Sequence, residues 1–257
     1  MPVNLTLSVG TLFGFLLVLT RVAGAFVFVP LPGIGSAIAP ARAAFALGFT
    51  LALASRWPVV EGGNPALGTL AAWVGAEAAA GIAIGISVAI VLEAFTLGAQ
   101  VLGLPAGYGY ASTVDPTTQA DAGILVVLSQ LVAGMLFFAM GLDREVLRLF
   151  AQSLDRVPAG TYLFNTHSAD ALIQLGSNLF SVGVRLALPV VALLVMVDVA
   201  LGLMGRLNAQ LQLLHLAFPA KMLVALLVLA WIAPLFPRVL WELSGHAWVT
   251  ARKVLGM

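Results

Sequence analysis

Apolar residues run along this chain in long blocks with few breaks, and the blocks have helical lengths. Residues 9–30 form the first, interrupted by Arg21 and closed by the run FVPLPG. Residues 41–56 form a second block, short against the roughly 20 residues a helical crossing needs. The run GGNP at 62–65 signals a turn. Residues 67–104 then continue for 38 positions without proline. As a helix that block is about 57 Å long at ~1.5 Å per residue. The hydrocarbon core is only about 30 Å thick, so the block exceeds one ordinary crossing.

A fourth apolar helix is expected over 122–142. It passes into DREVLRLFAQSLDRVP, where Asp143, Arg144, Glu145, Arg148, Asp155 and Arg156 mark an aqueous boundary. PAGTYLFNTHSAD reads as a linker. Residues 168–205 are again overlong, with Pro189 inside as an expected kink. Residues 205–221 read as a polar-tinged joint carrying Arg206, His215 and Lys221 and no acid. Residues 222–236 close a hairpin. The remainder reads as an interfacial tail anchored by tryptophan, arginine and lysine.

Composition turns this pattern into a class. Of 257 residues, 61% are hydrophobic and 9% charged, against about 25% charged in soluble proteins. The fold class is therefore all-α, an integral membrane protein of long kinked helices and helical hairpins. A net charge of +1 leaves no nucleic-acid footprint. Cysteine is absent, which removes disulfides, thiol nucleophiles and thiolate metal sites. No Lys or Arg precedes Arg21, which argues against a cleaved signal with a basic leader.

Three kinds of residue invite a chemical reading. Gly75, Ala79, Gly81 and Gly85 recur at helix-face spacing, and small residues let helix backbones approach in lipid. Internal packing is the simpler reading of them, contact with other subunits the sharper. Arg21, Glu77, Glu93, Arg185 and Asp198 lie inside apolar blocks, where each costs at least about 2.5 kcal/mol at a bilayer centre. Pairing between helices is the simpler reading. A transporter would instead use Glu77, Glu93 and Asp198 as an ion path, with paired broken helices in matching halves; the interruptions near 103–121 and 205–221 share no clear similarity. Enzyme motifs fail. Ser244 and Ser87 lack a nucleophile setting, and His167, His215 and His246 show no metal-ligand spacing. Neither catalysis nor a metal or cofactor is expected.

The most informative interruption is the run GLPAGYGYASTVDPTTQAD, residues 103–121, between two strongly apolar helices. Non-helical backbone is tolerated at membrane depth only inside protein or along a watery cavity. Gly103, Gly107 and Gly109 permit backbone conformations closed to other residues. Tyr108 and Tyr110 add flat bulk with a polar tip. Asp115-Pro116 starts a turn. A supple segment carrying aromatics suits an obstruction that folds aside.

Here the chain resembles the FliR family, the export-gate proteins of bacterial flagellar type III secretion. The run GYGYASTVDP after AAWVGAEAAAGIAIGISVAIVLEAFTLGAQVLGL carries the likeness, which extends over nearly the whole chain. RLALPVVALLVMVDVALGLMGRLNAQLQLLHLAFPAK is similar to the family's C-terminal signature, here Leu188-Pro189, Arg206, Gln210-Leu211, Phe218-Pro219 and Lys221. The stretch from Thr20 to Pro58 looks like FliP and the hairpin from Pro189 to Pro234 like FliQ. The resemblance implies a FliP-like part, residues 1–165, fused to a FliQ-like hairpin and tail, residues 166–257, in one structural unit.

It also implies a non-enzymatic channel subunit in the bacterial inner membrane, within the flagellar basal body. Implied partners are FliP-like and FliQ-like subunits, an FlhB-like subunit, unfolded export substrates and membrane lipid. The segment Gly107, Tyr108, Gly109, Tyr110, Ala111, Ser112, Thr113, Val114, Asp115 and Pro116 would plug the channel at rest. Tyr110 and Thr113 stand where relatives often carry phenylalanine, which makes the segment more polar. Ala209 and Ala217 replace a common proline and glycine. An injectisome homologue is the alternative.

Overall fold

The computed structural model describes residues 8–29, 39–58, 65–108, 123–158, 160–162, 166–207 and 213–257. Within them the chain forms eight α-helices: α1 Val9–Phe28, α2 Ala39–Ala52, α3 Leu67–Gly103, α4 Ile124–Ala139, α5 Leu142–Arg156, α6 Thr166–Leu207, α7 Leu213–Ile232 and α8 Phe236–Leu255. Two single 3-10 turns, Ala54–Arg56 and Ala233–Leu235, follow α2 and α7. No strand is present among the described residues. Four stretches are long and apolar enough to cross a membrane: α1, α3, Thr166–Arg206 of α6, and Pro219–Leu255 across α7 and α8. The all-α membrane class is what the hydropathy pattern demanded.

Local chemistry sets several ends. Ser8 caps α1, its hydroxyl accepting from the Thr11 amide at 3.2 Å. Gly141, at φ +69°, takes a left-handed conformation that closes α4 and starts α5. Pro189 lies inside α6, which runs 42 residues through it. The sequence placed a joint over 205–221. In the structure α7 is already helical by Leu213, with Pro219 inside it. A proline removes only one donor, and an apolar helix gains more from continuing its ladder.

The chain forms two compact units. The first gathers Met1–Ile90, Gly141–Gly176 and Ser244–Met257; the second gathers Val91–Met140 and Ser177–Leu243. In the first unit, Leu17, Val18 and Val22 of α1, Ala80, Ile84 and Val88 of α3, and Leu142, Leu149 and Phe150 of α5 are buried. Edge-on aromatic pairs, Phe26 with Phe49 at 5.9 Å and Phe49 with Phe150 at 5.3 Å, run through it. Glycine sets the α1–α3 approach. A Cβ on Gly85 would meet the Ala25 carbonyl oxygen at 2.5 Å, one on Gly24 would meet that of Ala78 at 2.9 Å, and one on Gly81 would run into the Arg21 carbonyl. Pairing 21 with 81 and 25 with 85 makes the two helices parallel.

The second unit has its own core. Ala99, Leu102 and Ala106, Leu125 and Val126 of α4, Ala187, Val190 and Leu194 of α6, and Ala225 of α7 pack together. Gly98 and Gly183 bring α3 and α6 into close backbone approach.

Candidate functional site

Two arrangements stand out, one in each unit. In the first, Arg21 of α1 is fully buried and surrounded by acceptors. Its Nε donates to Glu77 Oε2 at 2.5 Å and its Nη2 to Glu77 Oε1 at 2.9 Å, a forked pair with α3. Nη1 donates to the Ser153 carbonyl at 2.9 Å and the Ser153 hydroxyl at 3.2 Å; Nη2 also donates to the Val157 carbonyl at 3.2 Å. A guanidinium has five N–H donors, and these five bonds occupy its capacity. Both carbonyls lie at the C-terminal end of α5, where the helix dipole favours positive charge, and the Ser153 carbonyl also accepts from the Val157 amide at 3.0 Å.

Glu77, equally buried, takes a third bond from the Gly160 amide at 3.0 Å. Gly160 sits at φ +78°, and a side chain there would strike the Trp73 indole. One ion pair thus ties α1, α3, the α5 terminus and the turn at Gly160. The sequence singled out Arg21 and Glu77 but assigned no role to Ser153, Val157 or Gly160. The only signal was Pro158 and Gly160, the usual punctuation after a helix end; what the exposed carbonyls bind is tertiary.

In the second unit the root of the 103–121 segment is described. Tyr108 N–H donates to the Gly103 carbonyl and Gly107 N–H to that of Leu104, both at 3.0 Å. With Gly107 at φ +84° this is a Schellman closure of α3. Gly107 therefore has a local reason to be glycine. The Tyr108 ring packs on the second unit's core, and its hydroxyl donates to the Met222 carbonyl of α7 at 3.3 Å. Burial raises the Tyr108 phenol above its ordinary pKa, so it stays neutral and remains a donor. Gly109, Tyr110, Ala111, Ser112, Thr113, Val114, Asp115 and Pro116 lie outside the described residues.

The remaining sequence candidates separate. Asp198 of α6 and Lys221 of α7 form an ion pair across the hairpin; Lys221 is largely covered and Asp198 half-exposed. Glu93 and Arg185 are exposed, without an ion pair among the described residues. Arg206 is exposed in the last turn of α6, where its charge suits the helix dipole. Pro189 and Pro219 are exposed inside their helices. Gly81 and Gly85 contact α1, Ala79 is half-buried, and Gly75 faces open space. Gln210 and Leu211, and the side chain of Phe218, lie outside the described residues.

Residues 12–247 match the family described as bacterial export proteins, family 1. The chain belongs to the FliR family. The flagellar biosynthetic protein FliR of Escherichia coli is 28% identical over 191 residues, covering 74% of this chain and 72% of the relative. FliR of Caulobacter vibrioides is 27% identical over 217 residues, covering 83% and 86%. The secretion system apparatus protein SsaT of Salmonella typhimurium is 25% identical over 161 residues, covering 61% and 62%. FliR membership makes the chain a membrane component of a type III export apparatus.

Proposed function

We propose that this chain is a non-enzymatic subunit of the flagellar export gate in the bacterial inner membrane, and that residues 107–116 occlude its channel at rest. In this reading residues 1–165 are the FliP-like part and 166–257 the FliQ-like hairpin and tail. FliP-like, FliQ-like and FlhB-like subunits complete the complex. The observation that supports the plug is the anchoring of its root. Gly107 ends α3 in a fixed turn, and Tyr108 is held against Met222. A segment with one end clamped to packed helices can block an opening without diffusing away.

The test is permeability. Shortening residues 109–114 while keeping Gly107, Tyr108, Asp115 and Pro116 makes cells leaky to ions and small solutes. Intact permeability in a fully assembled complex overturns the plug. The likeness to SsaT supports a second reading, an injectisome gate. Restored motility in a flagellar strain lacking its own FliR favours the flagellar assignment; restored effector secretion in an injectisome mutant favours the other.

A further inference from the structure

Glu93 is the misfit of α3. Fifteen residues on each side of it, 78–92 and 94–108, carry no charge. Any 20-residue crossing placed within that stretch therefore contains Glu93, and about 20 residues is what a crossing takes. Its short side chain cannot reach the headgroups as a lysine or arginine does. Its helix neighbours Leu92, Ala94, Phe95 and Thr96 are buried, while Glu93 is exposed. Gln100, two turns further on, is exposed as well, and residues seven apart share a helix face. Within 78–108, α3 thus presents one acid and one amide on a single exposed strip.

A carboxylate facing hydrocarbon costs at least about 2.5 kcal/mol near the bilayer centre. The same chain shows what such a charge requires, since Glu77 holds three hydrogen-bond donors. We infer that the Glu93–Gln100 strip is an interface for a membrane helix of a different subunit, one that presents a lysine or arginine to Glu93. The inference rests on the reading that the chain works within a complex, and it names the surface and the chemistry of one contact. Gln100 supplies both a donor and acceptors to the same helix.

The test uses the tagged full-length chain in its native membrane. A photo-reactive residue in place of Gln100 yields an adduct whose cross-linked peptide lies on a partner's helix within a few turns of a lysine or arginine. Glu93→Lys lowers recovery of the detergent-extracted complex at least about tenfold, and exchanging that partner residue for glutamate restores it. Full recovery with both Glu93→Gln and Glu93→Lys overturns the inference, as do adducts with lipid alone or with a second copy of this chain. In those cases the wild-type complex still assembles and the export reading stands. A wild-type chain extracted from its native membrane under mild conditions without any partner overturns both.

Discussion

The two units treat charge within apolar helices in opposite ways. In the first, Arg21 and Glu77 sit at 0% exposure with every guanidinium donor matched. In the second, Asp198 and Lys221 pair at a half-open position, and Glu93 and Arg185 have no ion pair among the described residues. A charge that its own chain satisfies can serve as a structural keystone. One that it leaves open needs another molecule, because lipid offers nothing to bond to.

The largest test of this contrast is at Arg21. Arg21→Ala leaves Glu77 buried without its cation and lowers stability by about 3–5 kcal/mol. Thermal unfolding of the detergent-solubilised chain reads the loss. Joint replacement, Arg21→Met with Glu77→Leu, recovers most of it, since similar-volume apolar residues remove the burial penalty. If Arg21→Ala unfolds like wild type, the keystone role is wrong.

Gly160→Ala comes next, at about 1–3 kcal/mol for a forced left-handed conformation. The Trp73 contact adds to it. Tryptophan fluorescence followed through the same melt reports whether the Trp73 environment loosens first. A melting temperature equal to wild type would mean that the turn adapts at no cost.

Tyr108→Phe loses one hydrogen bond, about 0.5–1.5 kcal/mol. Its sharper readout is protease access to the 109–122 segment, which rises when the root is released. Unchanged cleavage would show that the Met222 contact does not hold the segment.

Glu93→Gln sits at the other end. Away from buried features a substitution changes stability by no more than about 0.5 kcal/mol, so the isolated chain melts as before while the complex weakens. A large stability loss in the isolated chain would erase the contrast between the units.

Much of the architecture was legible before folding. The blocks 67–104 and 168–205 correspond to α3 and α6 within two residues at each end, because long apolar runs leave the backbone no other way to satisfy itself in lipid. Polar stretches were harder. The 205–221 region looked like an open joint, yet α7 begins by Leu213, since isolated polar residues do not stop a helix as turn residues do. At the sites, Arg21, Glu77 and Asp198 were visible as charges out of place, and Lys221 as a member of the polar joint. That Arg21 meets Glu77, 56 positions away, was not visible, because no local period links α1 to α3.

By itself the sequence determined the all-α membrane class, the long helices, the embedded charges and the likeness to export-gate proteins, for these follow from hydropathy, spacing and residue order. Only the tertiary structure decided which charges are closed and which stay open. Closure depends on the small gaps at Gly81 and Gly85 and on where the α5 terminus and the Gly160 amide come to rest, and those are distances between parts of the chain that share no local signal.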